Sequence, residues 1–168
     1  MYKLIAIILL LFISTPSMGS SDEENLTQRL AAAKKIDRSE PNALCKASVD
    51  VVRHQDVNLF RKVFAAIPAT DEQVKVYLSE LHDKYFKTSY LGIDNYQIDE
   101  NEALAFEDAK NSSSSLVSDN AKQRGHDLEL WVPYRFDTIS PKTNEAIQGY
   151  GTCKLAYLEN QWKVVTLL

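Results

Sequence analysis

The apolar residues of this chain change their period once, near residue 88, and that change limits what the chain can fold into. Before it they recur at three- and four-residue intervals. In "ALCKASVDVVRHQDVNLFRKVFAAI", Cys45, Val49, Val52, Leu59, Phe60, Val63 and Ile67 fall on one stripe with a polar step at "RHQD". The spacing predicts two consecutive helices, the second capped by Asp56, whose carboxylate accepts from free backbone N–H groups. Pro68 ends that unit. "TDEQVKVYLSELHDKYFK" follows, with Thr70 and Gln73 at capping-box spacing and Val74, Tyr77, Leu78, Leu81 and Tyr85 on one face, so a third helix is expected there.

After that helix the period is two. "YLGIDNYQI" and "EALAFEDA" read as strands around the turn "DENE", although the second is also compatible with a helical turn. "NSSSSLVSDNAKQRGHD" reads as a polar, mobile connection. "LELWVPYRF" alternates strictly, with Leu128, Leu130, Val132, Tyr134 and Phe136 on one face and Glu129, Trp131, Pro133 and Arg135 on the other. Pro133 cannot donate to a ladder, which predicts an edge or a bulge at that point. "AIQGYGTCKLAYL" alternates as well, and its Gly149 and Gly151 allow a bend or bulge. "ENQ" turns that strand into "WKVVTLL", a closing antiparallel hairpin. Helices followed by antiparallel strands make the expected class α+β.

Hydrophobic residues make up 45% of the 168-residue chain and charged ones 25%, which fits a single globular domain. Residues 1–19 stand apart from it: Lys3, an apolar run from Leu4 to Ile13, then Pro16 and the small residues Ser17 and Gly19. The run is shorter than the roughly 20 residues of a membrane span, so it reads as a secretory signal cleaved after Gly19, with an uncleaved anchor as the alternative. Residues 20–42 are polar, with Leu26, Leu30, Ala33 and Ile36 near helical spacing, and read as a frayed helix or a tail that ends at "SEPN". Residues 43–168 form the α+β domain.

Cleavage would remove one basic residue, Lys3, and move the net charge from −4 to −5. A chain of that sign, with its lysines and arginines scattered, lacks the basic footprint of a nucleic-acid binder. Cys45 and Cys153 are the two cysteines, and an exported location keeps thiols oxidised, so one disulfide is expected, with two unrelated buried thiols as the alternative.

The paired helices of "CKASVDVVRHQDVNLFRKVF", with an aspartate at the second start, and the final hairpin "CKLAYLENQWKVVTLL" resemble the NTF2-like superfamily of cone-shaped α+β domains. Cystatin-like arrangements are the nearest structural alternative. The resemblance covers roughly residues 43–168 and implies three N-terminal helices packed on a curved antiparallel sheet. It also implies that the last strands pack on the first of those helices, which brings Cys153 towards Cys45. Isomerases, dehydratases, small-molecule binders and partner-binding modules all occur in that superfamily, so the resemblance carries no activity.

Chemistry has to be sought in the residues. His54, His82 and His126 have no second His or Cys at metal-ligand spacing, so no metal is expected. Asp50, Asp94, Tyr96, Tyr134 and Tyr157 are the residue types that a cofactor-free isomerase needs inside a cone, yet no spacing unites them. There is no nucleophile elbow and no phosphate-cradling glycine loop, so neither catalytic residues nor cofactors are assigned. "NLT" at Asn25 and "NSS" at Asn111 match the glycosylation sequon, which matters only in a eukaryotic secretory route. Trp131 and Arg135, on the polar side of "LELWVPYRF", form a candidate binding patch, because Trp and Arg dominate interface hot spots. The expected function is an exported, non-enzymatic domain that binds a protein partner or a small apolar ligand. The alternatives are a cofactor-free enzyme and a structural envelope component.

Overall fold

The computed structural model describes residues 20–166, and the signal expected at residues 1–19 lies outside them. Among the described residues, five α-helices and a five-stranded antiparallel open sheet make up the α+β architecture. Helix α1 (Ser20–Lys34) is a full helix and lies along strand β2 (Leu104–Glu107). Helix α2 (Ser39–His54) starts earlier than "SEPN" suggests, with Pro41 inside its first turn. There the missing N–H has no intrahelical acceptor to lose, so proline is tolerated. The break between the helices falls just upstream, where the Asp37 carboxylate accepts from the Ser39 N–H at 3.0 Å and its hydroxyl at 2.8 Å.

Asp56 caps α3 (Val57–Val63), accepting from the Leu59 N–H at 2.9 Å, as its position predicts. Helix α3 is shorter than the stripe to Ile67 implied. Its continuation leaves the helix at Phe64, bridges Val164 of strand β5 (Gln161–Thr166), and donates the Ala65 N–H to the Val164 carbonyl at 2.9 Å. Helix α4 (Asp71–Asp83) carries the capping box of Thr70 and Gln73 and runs on into a wider π turn, Lys84–Thr88, that points Tyr85 into the core.

Strand β3 (Leu128–Ile139) organises the sheet. It pairs along its full length with β4 (Ala146–Leu158), which continues through a two-residue turn at Glu159 and Asn160, both at positive φ, into β5. Its other edge is shared. β2 pairs with the Leu128–Trp131 half and β1 (Asp94–Ile98) with the half from Tyr134 to Asp137. Pro133 sits where one partner gives way to the other, and its carbonyl accepts from the Asp99 N–H at 2.8 Å. The proline is therefore on an interior strand with no bulge at it; the gap between two short neighbours is what spares the missing donor.

Gly149 and Gly151 likewise mark no bulge, since the β3–β4 register runs unbroken from Glu129 to Ile139. They stand opposite Phe136 and Tyr134, whose rings lie flat across them. A Cβ at Gly149 would come within 2.2 Å of the Phe136 ring and one at Gly151 within 2.1 Å of the Tyr134 hydroxyl. The two glycines thus let a layer of rings cover β4. Gly151→Ala should cost about 1–3 kcal/mol by overpacking, measured by urea unfolding; a loss below 0.5 kcal/mol, well under that range, would show that Tyr134 has another place to go.

On this inner face Leu130, Val132, Tyr134, Phe136, Leu155 and Val164 pack with the apolar stripes of α2, α3 and α4. Cys45 of α2 and Cys153 of β4 are joined there in a disulfide with Cα atoms 5.8 Å apart, which closes the sheet onto the helix. The outer face differs from the expectation of three helices on one side of a sheet. The serine-rich stretch expected as a loop folds into a short 3₁₀ turn (Ala109–Asn111) and α5 (Ser115–Arg124), which lies over the β2–β3 end of the sheet. Only Val117 and Ala121, one helical turn apart, supply its apolar side, and they join Phe106 and Ala109 in a second small core. Gly125, at φ 77°, ends the helix in the left-handed conformation that glycine favours.

Candidate functional site

The outer row of β3 reads Glu129, Trp131, Pro133, Arg135, Asp137 and changes from buried to exposed along its length. At the start of the row α5 covers the sheet, and Glu129 is only 1% exposed. It faces Phe106 of β2 on one side and Ala156 of β4 on the other. Both of its oxygens are used. His126, also 1% exposed, lies with Nε2 3.0 Å from Oε2, and the Trp131 indole N–H donates to Oε1 at 2.6 Å. The His126 backbone N–H caps α5 by donating to the Ala121 carbonyl at 3.2 Å, which places the ring beneath the helix.

A general acid or base must come within hydrogen-bond reach of its substrate. Neither Glu129 nor His126 meets that condition while α5 is in place, so the His126–Glu129–Trp131 chain fastens α5 and the start of β3 together. Strict alternation placed Glu129 beside Trp131 on the outer side, but nothing local in the sequence signals that a helix covers it. The histidine three residues upstream is the one available hint.

Trp131 is half-buried. Its ring lies 5.0 Å from that of Phe106 and beneath the Lys154 ammonium at 3.9 Å, while the Arg29 guanidinium stands 4.7 Å over Phe106. Arg135 lies four residues further along the strand, about 13 Å away at 3.3 Å per residue. It is exposed, and its Nε and Nη2 donate to the Gln97 side-chain oxygen at 3.0 and 2.7 Å. Directly across the ladder stands Tyr150, which is 69% exposed, and beyond it Gln148. Among the described residues nothing covers the outer half of the sheet made of Arg135, Tyr150, Gln97, Gln148 and Asp137, and Trp131 stands at the margin where α5 begins to cover it.

The inner face holds the tyrosines. Tyr134 stacks on Tyr96 at 4.9 Å and lies 6.2 Å from Phe136, which in turn meets Tyr90 edge-on at 5.3 Å. Burial raises the Tyr134 and Tyr96 phenols well above their ordinary range, and for Tyr134 the neighbouring tyrosines push the same way. The Tyr134 hydroxyl is hydrogen-bonded to that of Tyr85. Among the described residues no carboxylate is hydrogen-bonded to them. Asp50 is on the solvent side of α2, paired with Arg53 at 3.1 Å, Asp94 is exposed at the start of β1, and Tyr157 packs edge-on against Trp162 at the surface. His54 is exposed at the end of α2, and His82 stacks on Phe86 at 4.9 Å with Nδ1 3.7 Å from Asp83. Of the five residues that a cofactor-free isomerase would have needed together, Tyr96 and Tyr134 meet, and Asp50, Asp94 and Tyr157 lie apart from them.

Among the described residues no cluster of three His, Cys, Asp or Glu side chains has the arrangement to hold a metal ion, and no helix is long and apolar enough to cross a membrane. The sequence matches no protein-family model and no curated protein.

Proposed function

We propose that this chain is an exported NTF2-like binding domain without catalytic activity of its own, and that it engages a protein partner through the outer face of its sheet between Trp131 and Arg135. The observation that carries the reading is the contrast between the two faces. The inner side, where a cone would hold a ligand, is filled by the rings of Tyr85, Tyr90, Tyr96, Tyr134 and Phe136. The outer side beyond Pro133 is covered by none of the described residues and presents a tyrosine and an arginine next to each other. Tyrosine supplies contact area at small entropic cost, and the guanidinium, held by Gln97, keeps donors free for a carboxylate or carbonyl. Helices preceding strands, the Asp56 cap, the long β3–β4 pair and the closing hairpin support the superfamily assignment. The disulfide fits an oxidising compartment.

The test is capture of a partner from the exported fraction of the native cell by immobilised protein. Arg135→Ala with Tyr150→Ala should reduce capture about tenfold or more, the effect of losing a hot spot worth at least 1.4 kcal/mol. His54→Ala should leave it unchanged. Undiminished capture by the double variant, with its fold verified by circular dichroism, would reject the surface. Trp131 is unsuitable for this test because its indole N–H also holds Glu129.

A further inference from the structure

At the far edge of the sheet, where the chain leaving α3 crosses β5, lies a recess of about 210 Å³ walled by Phe60, Phe64, Ile67, Tyr77 and Val165. The Phe60 and Phe64 rings stack at 4.6 Å, and both are packed in the core, so this wall is rigid. Ile67 and Tyr77, by contrast, leave large apolar surfaces open to solvent. The recess shares Ala65, Ile67 and Arg124 with a wider cleft of about 520 Å³ that also reaches Lys163.

Arg124, in the last turn of α5, is the polar group common to both. The side chains of Arg29, Arg53, Arg61 and Arg135 all donate hydrogen bonds within the protein. Among the described residues Arg124 has neither a hydrogen bond nor an ion pair. A planar fork of donors without an acceptor, beside apolar walls, is complementary to a carboxylate that ends an apolar chain. Lys163 adds a second positive charge to the cleft while donating to the Lys62 carbonyl at 2.7 Å. Glu159 is the acidic side chain of the wider cleft and does not line the recess, so one anionic head is accommodated more readily than two.

We propose that this recess binds a straight-chain monocarboxylate, with the alkyl chain against Phe60, Phe64 and Tyr77 and the carboxylate on the Arg124 guanidinium. The site lies at the β5 edge, apart from the outer-face surface around Arg135, and each reading stands or fails without the other.

Calorimetric titration of the whole exported chain with hexanoate, octanoate and decanoate, beside 1-octanol and octylammonium, tests it. Affinity should rise about fourfold with each added methylene until the recess is full. Octanoate should bind more tightly than 1-octanol, and octylammonium should not bind. Arg124→Gln, which removes no hydrogen bond or ion pair among the described residues, should weaken octanoate about tenfold and bring it level with the alcohol. Ile67→Asp should weaken the acids and the alcohol alike. The proposal is overturned if no acid gives saturable binding below its micelle concentration, if acid and alcohol bind the unaltered protein equally, or if Arg124→Gln leaves octanoate affinity unchanged.

Discussion

Replacing Cys45 and Cys153 together by alanine should lower the stability of this protein by about 4–5 kcal/mol, the largest effect expected from changing two side chains. The bond closes a loop with a sequence separation of 108 residues, which spans α2, α3, α4 and most of the sheet. A crosslink over that length removes a large part of the freedom of the unfolded chain. In the folded protein the same bond joins α2 to β4 inside a buried apolar cluster, so truncation to alanine also removes packed sulfur atoms. Urea unfolding of the oxidised protein and of the double variant measures the difference. In a thermal scan it should appear as a fall of roughly 10–20 °C. Thiol labelling of the unfolded, unreduced protein should find no free cysteine. A double variant within 1 kcal/mol of the parent would mean that the unfolded chain holds α2 and β4 together without the bond, against the loop-closure expectation of several kcal/mol.

Glu129→Ala should be the costliest single change on the outer face, at about 3–5 kcal/mol. The substitution strands the Trp131 indole N–H and the His126 Nε2, both of which meet this carboxylate beneath α5, while the buried Nδ1 of His126 has no other hydrogen-bond partner to hold the ring. Water cannot take the carboxylate's place without lifting the helix, because His126 and Glu129 are each 1% exposed. Glu129→Gln keeps one acceptor and should lose about 1–3 kcal/mol. The protein has two tryptophans, and Trp162 lies on the other side of the sheet, so a red shift of emission in Glu129→Ala that Trp131→Phe abolishes would report α5 lifting from Trp131. Equal stability of Glu129→Ala and the parent would show that the pair does not fasten α5.

The features legible in the sequence are those that neighbours within about one helical turn, or the alternation of one strand, determine. Thr70 with Gln73 and Asp56 with Leu59 meet across three residues, so their caps could be read directly. Alternation in β3 and β4 assigned each residue to a face, and the turn at Glu159 and Asn160 joined the closing hairpin. Two cysteines and an expected oxidising location predict a crosslink, and it forms between helix and sheet.

Whether a face is covered, and by what, depends on residues far away in the chain, and there local reading failed. Val117 and Ala121 are too small an apolar stripe to mark α5 against its serines, and the helix is stabilised by Phe106 and the sheet beneath it. That contact decided that Glu129, equivalent to Arg135 by alternation, is buried with His126 while Arg135 faces solvent. Proline's missing donor predicts an edge or a bulge at Pro133, and the missing side chains of Gly149 and Gly151 allow a bend or bulge. Their roles depend on a gap between β1 and β2 and on the rings opposite them. The sequence by itself determined the order of α2, α3, α4 and the strands β3 to β5, the sidedness of those strands and the caps, all set by short-range periodicity and hydrogen bonding. Only the tertiary structure decided which side of the sheet is closed, because that rests on the packing of segments whose complementarity no single stretch contains.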